Sequence, residues 1–424
     1  MPHPLWSTRL VNMKMKKVLM VAFHFPPIQG SSGVQRTLRF ARHLPEFGWQ
    51  PIILTAHPRA YPSTTDDQLG DIPEHVTVLR APAWDTSRHF AIGGRYPGFL
   101  ARPDRWVSWW LGGTLSGLRA IDRFKPEALW STYPIATAHR IAATLNKRRH
   151  VPWIADFRDP MAQEGYPADP AVWRSFSDIE AHAVHHAAHC TFTTPSALAH
   201  YQQRYAPDAG RLQLIENGYD EESFAEASTG AALNPDRLTL LHSGIVYPSE
   251  RDPTRLFDAL HLLKTQHADV FERLRVRFRA AVHDDMLRAM AREAGVESAI
   301  EIFPAIGYRD ALAEMMSADG LLILQAANCN AQIPAKLYEY LRAGRPILAL
   351  TDPAGDTAAT CRDAGLEAIA ALDDAQAISA QLQRFVHSPK DGTLPTAAAV
   401  DRASRRGRAR TLAELLDRST MQGK

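Results

Sequence analysis

Short apolar runs with helical stretches between them occur in two successive series along the chain. Continuous apolar character over about four to eight residues is typical of strands buried on both faces of a parallel sheet. The runs of the first series are 17–23, 51–56, 76–80, 127–131, 152–157 and 190–194. Those of the second are 238–244, 276–282, 300–304, 320–325 and 346–350, with helices predicted at 254–264 and 308–317. The pattern predicts an α/β protein with two doubly wound parallel sheets.

The length of 424 residues is sufficient for two domains that each bury a core of their own. We predict an N-terminal domain at 16–215 and a C-terminal domain at 216–400, joined near the sequence IENGYDEESF. A helix is predicted at about 401–419. Residues 1–15 lack the apolar core of a signal peptide and are predicted to form a disordered extension.

Composition excludes several classes of protein. The charged fraction of 22% and the hydrophobic fraction of 45% are those of a soluble globular protein, and no apolar run approaches the roughly 18 residues of a membrane span. A net charge of +2 and a pI of about 8.4 argue against nucleic-acid binding. Cys190, Cys329 and Cys361 have no paired spacing, so neither a disulfide framework nor a cysteine-based zinc site is expected. We expect a cytoplasmic protein.

The segment 331–350, AQIPAKLYEYLRAGRPILAL, predicts a short helix followed directly by a buried strand. Pro334 suits a first helical turn and Gly344 suits the position after the last one. The free amides of such a first turn favour an anion, and Lys336 adds a full positive charge there. Glu339, one turn further on, is suited to accept hydroxyl hydrogen bonds from a ribose or sugar. An ordinary amphipathic helix with a surface Lys and Glu is equally compatible with this segment alone.

Each predicted domain has a loop suited to phosphate directly after its first strand, where ligands of open α/β sheets bind. The first loop contains Gly30 and Gly33, which allow close approach of the backbone to a ligand. It matches neither GxGxxG nor a Walker loop, so it does not indicate a dinucleotide or ATP. The second loop contains Gly244 at the turn and Arg251 before the next helix. Taken alone, Arg251 is compatible with a surface cation; together with Lys336 it predicts a clamp on a pyrophosphate.

Four polar residues of the first domain are further candidates. His139 lies on a predicted helix and is either a partly buried structural histidine or a group near the transferred sugar. Asp156, Arg158 and Asp159 follow a buried strand, at the end where parallel sheets place ligands. They either line the acceptor side of a cleft or shape it through an internal salt bridge between Arg158 and one of the aspartates.

The stretch 94–121 mixes basic and aromatic residues. Such a mixture suits a membrane interface or an acceptor with a lipid phosphate, and it is equally compatible with core packing beside an acceptor site. Its members are Arg95, Tyr96, Phe99, Arg102, Arg105, Trp106, Trp109 and Trp110.

Five segments in the same order along the chain resemble the retaining glycosyltransferases of the GT-B architecture, and specifically glycosyltransferase family 4. They are VLMVAFHFPPIQGSSGVQR, PWIADFRDP, IENGYDEESF, HSGIVYPSERDP and IPAKLYEYLRAGRPILAL. The resemblance implies two Rossmann-like domains that face a central cleft, with a nucleotide-diphosphate sugar on the second and a sugar or lipid-linked acceptor on the first. It also implies that the C-terminal helix packs back on the first domain, that no metal or other cofactor is needed, and that the product retains the anomeric configuration.

The resemblance also assigns roles to residues. Arg251 and Lys336 resemble the catalytic pair that holds the donor pyrophosphate and stabilises it as it leaves, and Glu339 resembles the carboxylate that binds the ribose. The glycines of the first loop resemble the loop that closes over the donor phosphate. The nucleotide base is expected near Ile306–Tyr308.

One position departs from the family pattern, because Ala331 stands eight residues before Glu339 where the family commonly has a second glutamate. That carboxylate contacts the transferred sugar in the family, so its absence leaves the sugar undetermined; Gln332 is a candidate replacement. The expected function is transfer of a sugar to an acceptor hydroxyl in cell-surface polysaccharide or glycolipid synthesis, with peripheral contact at the inner face of the membrane. A sugar-nucleotide epimerase of the same architecture and a catalytically silent partner subunit remain alternatives.

Overall fold

The computed structural model describes residues 15–29, 33–66 and 68–421. The predicted extension at 1–15 lies almost entirely outside these residues. Contacts divide the chain into a first unit, which consists of the residues up to Glu216 together with those from Arg408 onward, and a second unit, Asn217–Gly407.

The first unit is built on a seven-stranded parallel sheet with the strand order β3-β2-β1-β4-β5-β6-β7. Its strands are β1 Lys16–Val21, β2 Trp49–Ala56, β3 Thr77–Ala81, β4 Ala128–Thr132, β5 Trp153–Arg158, β6 His189–Phe192 and β7 Leu212–Leu214. Its helices are α1 Gly33–His43, α2 Thr86–His89, α3 Ser108–Phe124, α4 Ala136–Arg149, α5 Pro170–His186 and α6 Pro195–Arg204.

Alternate residues of β1 supply two separate cores, one on each face of this sheet. Leu19 and Val21 pack with residues of α3 and α4, whereas Val18 and Met20 pack with residues of α1. A strand buried on both faces is continuously apolar, and this explains the run KVLMV.

The second unit is built on a six-stranded parallel sheet with the order β10-β9-β8-β11-β12-β13. Its strands are β8 Leu238–Ser243, β9 Leu274–Arg279, β10 Ile300–Phe303, β11 Gly320–Gln325, β12 Ile347–Thr351 and β13 Ile369–Ala370. Its helices are α7 Glu221–Ala225, α8 Thr254–Gln266, α9 Ala268–Arg273, α10 Asp284–Glu293, α11 Tyr308–Ser317, α12 Lys336–Ala343, α13 Asp356–Asp363, α14 Ala375–His387 and α15 Ala397–Arg402.

The last helix, α16 (Arg405–Met421), begins in the second unit and continues into the first. Leu412, Leu415 and Leu416 are fully buried and join the core on the α1 face of the first sheet. The Lys16 ammonium also forms an ion pair of 2.8 Å with the Asp417 carboxylate. The C-terminal residues thus complete the first core rather than the second.

The predicted fold class is confirmed: both sheets are parallel, doubly wound and flanked by helices. Every predicted apolar run overlaps a strand. Two strands were missed, β7 and β13, and they have only three and two residues. Strands so short contain too few residues for a periodic or continuous apolar pattern to appear.

Each sheet has one point where the strand order reverses, between β1 and β4 in the first and between β8 and β11 in the second. Ligands of open α/β sheets bind outside the carboxyl ends of the strands at such a point. The loops after β1, β8 and β11 are therefore the places where functional side chains are expected.

Candidate functional site

Gly244 follows β8 directly and turns the chain at the reversal point of the second sheet. Its φ is +116°, a backbone conformation that side chains of L-residues rarely adopt. A Cβ at this position would lie 3.0 Å from Nζ of Lys336. The glycine therefore supplies both the turn and the space that the Lys336 ammonium occupies.

The helix α12 begins at Lys336, two residues later than Pro334. Pro334 still contributes to the helix start, because its carbonyl accepts a hydrogen bond of 2.9 Å from the Leu337 amide. Gly344 ends the helix in the left-handed conformation, with φ at +66°. Lys336 and Glu339 thus lie in the first turn, where the helix dipole favours an anion.

The Lys336 side chain points to a buried histidine at the end of β8. Nζ donates to Nε2 of His242 at 3.0 Å, and Nδ1 of His242 donates to the Leu322 carbonyl at 2.9 Å. Burial and the adjacent Lys336 charge hold the pKa of His242 well below its usual value. The ring is therefore neutral, and its Nε2 can accept a hydrogen bond from the lysine. Burial and the neighbouring Arg251 lower the pKa of Lys336 to about 7.

Arg251 lies beyond the same turn. Its Nη1 donates to the Ile245 carbonyl at 2.6 Å, and its guanidinium stacks on the Tyr247 ring at 5.1 Å from the ring centre. Nε is buried and has no hydrogen-bond partner within the part of the chain that the structure describes. The lowering of the Lys336 pKa by Arg251 shows that the two positive charges act on each other. An anion with two charges, such as a diphosphate, would satisfy both.

Glu339 accepts a hydrogen bond of 2.8 Å from the hydroxyl of Tyr308, the first residue of α11. Burial raises the pKa of the Glu339 carboxyl, while Tyr308 and the nearby Arg405 and Lys336 oppose this shift. The carboxylate is thus held one turn from Lys336 with acceptor capacity left for a hydroxyl.

The loop from β11 to α12 carries Ala331 and Gln332, both exposed. The loop is fixed to the segment before Arg251, because the Asn328 side chain donates to the Ser249 carbonyl at 2.8 Å. The backbone of Gln332 is also held, since its carbonyl accepts a bond of 3.0 Å from the Thr357 hydroxyl. Its side-chain amide makes no hydrogen bond within the described residues.

The loop of the first unit is described only in part, and Gly30 lies outside the described residues. Gly33 is the first residue of α1. A Cβ on Gly33 would lie 2.7 Å from Nδ1 of His24 and 2.9 Å from Nη1 of Arg158. Only glycine fits between these side chains. Burial and the Arg158 charge lower the pKa of His24 to about 4.

Asp156 is fully buried and belongs to a salt bridge whose partner differs from the predicted one. Its two oxygens accept from Nε and Nη2 of Arg36 at 2.9 and 2.8 Å, not from Arg158. The hydroxyls of Thr132 and Thr191 donate to the same carboxylate at 2.8 and 2.7 Å. Every lone pair is thus used inside the protein, and Asp156 shapes the first unit without being open to a ligand.

Arg158 and Asp159 follow at the end of β5. Arg158 has a φ of +62°, which is uncommon for a residue with a side chain and accompanies the irregular register between β5 and β6. Burial raises the pKa of the Asp159 carboxyl, and the charge of Arg158 opposes the shift. Arg158 lies beside Gly33 and His24, so among the three residues of this motif it stays the candidate for lining the acceptor side.

The surroundings of His139 favour the structural alternative over a role near the transferred sugar. Its side chain has no exposure, its Nδ1 shares a hydrogen bond of 2.8 Å with the Ser131 hydroxyl, and its ring packs on Phe157 at 4.9 Å. Burial lowers the pKa of the ring to about 4. The helix α4 directs this residue into the core, and the structural alternative applies.

The aromatic stretch at 94–121 divides into two parts. Trp109 is fully buried, and Trp106 packs against Phe23 with ring centres 4.7 Å apart. These tryptophans belong to the core of the first unit. Phe99, in contrast, is 66% exposed, and Tyr96 is also exposed.

Three residues of these sites were not predicted from the sequence: His242, Arg405 and His24. His242 had a detectable signal, since it is an ionisable residue at the end of the apolar run LTLL and lies two residues before Gly244. His24 likewise interrupts an apolar run. Arg405 had no signal in the sequence, because its proximity to Glu339 depends on the path of the chain into α16.

Residues 15–29, 33–66 and 68–421 contain no group of three or more His, Cys, Asp or Glu side chains arranged to hold a metal ion. Over the same ranges, no helix combines the length and the apolar character that crossing a bilayer requires.

Comparison with known proteins found one family model that matches part of the chain and a set of solved structures with a similar fold. Residues 32–218 match the family model of a glycosyl transferase 4-like domain. No sequence among the curated proteins matches the chain.

Solved structures match over nearly the whole chain. HepE of Anabaena, crystallised with UDP, superposes with a TM-score of 0.59 at 11% identity, over 96% of this chain and 98% of that one. WaaG, a glycosyltransferase involved in lipopolysaccharide biosynthesis, superposes with a TM-score of 0.52 at 13% identity, over 95% and 98%. A Listeria monocytogenes structure provisionally assigned as a UDP-N-acetylglucosamine 2-epimerase gives 0.55 at 11% identity, over 97% and 98%.

Proposed function

We propose that this chain, which has the GT-B glycosyltransferase fold and carries a glycosyl transferase 4-like domain at residues 32–218, transfers a sugar from a nucleotide-diphosphate sugar to an acceptor hydroxyl. The observation that carries the proposal is the pair of cations, Lys336 and Arg251, around the Gly244 turn. They converge where the strand order of the second sheet reverses, and the first turn of α12 adds its amides to them.

The proposed catalytic device is preorganised positive charge. As the bond from the sugar to the diphosphate breaks, negative charge grows on the leaving group, and Lys336 and Arg251 are placed to stabilise it. Because these charges are fixed before the reaction, the protein pays little reorganisation energy when the leaving group departs. The proposal requires no metal ion.

Retention of the anomeric configuration is part of the proposal. The acceptor hydroxyl attacks the sugar from the face that the diphosphate leaves, and its proton passes to an oxygen of the departing phosphate. No protein base is needed for this step. The burial of His139 is consistent with it, since that histidine has no access to a reacting hydroxyl.

Glu339 is proposed to bind the ribose of the donor, with Tyr308 orienting the carboxylate. Gln332, on the loop before α12, is proposed to contact the transferred sugar in place of the glutamate that Ala331 replaces. Since HepE was crystallised with UDP and with UDP-glucose, uridine nucleotides are the first donors to test.

The acceptor is proposed to be a sugar or lipid-linked intermediate of cell-surface polysaccharide or glycolipid synthesis, met at the cytoplasmic face of the membrane. The support is an exposed apolar segment of the first unit: Ile92 is 88% exposed, and Phe90 and Phe99 are exposed nearby. Arginines at 88, 95 and 102 alternate with these residues. Apolar and cationic side chains in one exposed segment suit an anionic lipid surface.

An epimerase is the second candidate, because a structure provisionally assigned to that activity matches this fold. An epimerase consumes a donor without an acceptor and needs acid and base groups beside the sugar. The described side chains around Lys336 include one carboxylate, Glu339, and the neutral His242 already accepts a bond. This set favours transfer over epimerisation.

The experiment is a turnover assay with UDP-sugars, with and without a membrane lipid extract as acceptor source. The proposal predicts sugar incorporation that depends on the extract and is nearly abolished in Lys336→Ala and Arg251→Ala, while Lys390→Ala, which changes an exposed lysine of the same unit, retains it. Donor conversion without extract would support the epimerase. Near-normal transfer in both site variants would contradict the proposed mechanism.

A further inference from the structure

A groove of about 810 Å³ lies between α4 and α5 of the first unit. Its walls come from the helical layer, not from the loops after the strands, so none of its residues belongs to the sites described above. The polar side chains that line it are Arg140, Thr144, Lys147, Arg148, Ser175, Asp178 and His182.

The groove carries an excess of positive charge that is not neutralised by ion pairs. Three of its residues are Lys or Arg, and Asp178 is the acidic one. Lys147 and Arg148 are both exposed, and within the described part of the chain neither forms an ion pair. The next residue of the same helix behaves differently, because Arg149 pairs with Asp122 at 3.0 Å.

One wall of the groove is rigid. The Arg140 guanidinium stacks on the Trp110 ring at 4.1 Å from its centre. The indole N–H of Trp110 donates to the Thr144 hydroxyl at 3.0 Å, and that hydroxyl donates to the Arg140 carbonyl at 2.8 Å. A cation fixed in this way loses little conformational entropy when it binds an anion.

The opposite wall contains His182, whose ring stacks on His186 with centres 4.2 Å apart. Burial lowers the pKa of His182, and the charges of His186 and Lys147 lower it further. Lys147 belongs to the other wall of the groove. The two side chains therefore lie close enough across the groove for the Lys147 charge to act on the His182 ring.

Apolar side chains separate the charges. Ala143 and Ile179 line the groove and pack against the core of the first unit. A ligand that fits this lining therefore has an anionic group for the cations and an uncharged part for the floor. A phosphate ester has that composition, and arginine binds its oxygens through paired donors.

We propose that the α4–α5 groove is a binding site for a phosphate ester, held by Lys147, Arg148 and Arg140. The site is separate from the proposed donor site and does not depend on the proposed activity. Two sources supply this chemistry, a soluble phosphate ester and the headgroup of an anionic lipid, and the test distinguishes them.

The test uses the full chain with Lys336→Ala, which removes the cation of the second unit that would also bind phosphate. Titration with inorganic pyrophosphate and sedimentation with phosphatidylglycerol vesicles, against phosphatidylcholine vesicles, are compared in three proteins. The first has no further change, the second adds Lys147→Gln and Arg148→Gln, and the third adds Arg119→Gln and Arg149→Gln. The last pair removes two exposed positive charges of α3 and α4 outside the groove.

We expect the change at 147 and 148 to weaken binding of pyrophosphate, of the anionic vesicles, or of both, by about tenfold or more, and the control pair to change it less than about twofold. Pyrophosphate binding identifies a soluble ester, and vesicle binding alone identifies a lipid headgroup. The NMR titration of His182, assigned with His182→Gln, supplies a second readout, because bound phosphate raises the pKa of this histidine. Absence of binding to either probe, or equal weakening by the control pair, would overturn the proposal.

Discussion

Nζ of Lys336 lies 3.0 Å from Nε2 of His242 and donates a hydrogen bond to it. The bond directs the lysine across the Gly244 turn, where a Cβ would lie only 3.0 Å from Nζ and where the φ of +116° disfavours residues with a side chain. The arrangement keeps an ammonium group poorly solvated and next to Arg251, so its protonated form is costly until an anion arrives. These four residues thus explain the position of the charge, its lowered pKa and its readiness for a diphosphate.

Binding of a UDP-sugar should weaken as the pH rises from 6 to 8.5. The pKa of Lys336 is about 7 in the free protein, so the fraction of charged lysine falls through this range, while the diphosphate diester keeps its charge. Above the pKa, each pH unit should weaken binding by up to about tenfold, with uptake of a proton on binding. Calorimetry in two buffers with different ionisation enthalpies measures both effects. Lys336→Arg, always charged, should give a flat profile; an equally flat profile in the unchanged protein would contradict the assignment.

Replacement of His242 should weaken donor binding without removing the lysine charge. His242→Leu keeps the approximate volume but removes the acceptor that positions Lys336. A hydrogen bond to a charged group contributes about 1.5–3 kcal/mol, so we expect a Kd roughly ten to a hundred times higher. His242→Gln, which can still accept, should lose less. Equal affinity of the leucine variant and the unchanged protein would show that the bond has no positioning role.

Replacement of Glu339 separates nucleoside binding from phosphate binding. Glu339→Gln keeps the size of the side chain and lowers its strength as an acceptor for ribose hydroxyls, so UDP should bind about tenfold more weakly. Inorganic pyrophosphate has no ribose, and its affinity should stay within about twofold. Competition titrations with both ligands make the comparison. A parallel loss for UDP and pyrophosphate would instead place Glu339 in the phosphate site.

The ion pair of Arg36 and Asp156 predicts a large effect on stability. Asp156→Asn leaves the Arg36 guanidinium buried without a counter-charge, which costs about 3–5 kcal/mol. The matched control is Asp122→Asn, which breaks the exposed pair with Arg149 and should lower stability far less, because solvent screens that pair. Thermal unfolding of both variants gives the comparison. Similar midpoints for the two would mean that the buried pair contributes no more than a surface pair.

The fold was predictable because its signal is local. The strand β1 is buried on both faces, so its apolar run is visible in the sequence without any knowledge of its neighbours. The strand β13 has only Ile369 and Ala370 and is defined by its pairing with β12, a contact between distant parts of the chain. Local pattern cannot reveal a strand of that kind.

The candidate site was predictable where one segment carries several of its features. Lys336, Glu339 and the helix start lie within a single stretch, so their relation follows from helical spacing. The partner of Asp156 was not predictable, because Arg36 lies 120 residues earlier and meets it only through sheet packing. His139 shows the converse: its position on a helix was predicted, but which face of α4 points into the core depends on contacts with β4 and β5.

Titration calorimetry of the protein against UDP, UDP-sugars and other nucleoside diphosphates, in metal-free buffer and repeated with Lys336→Ala, tests the central claim most directly. The account predicts selective binding of one nucleotide class without metal and an affinity loss of about a hundredfold in the variant, with Lys390→Ala unchanged. Binding that Lys336→Ala leaves intact would contradict the claim, and absence of binding across the panel would contradict it and favour a partner subunit without catalytic function.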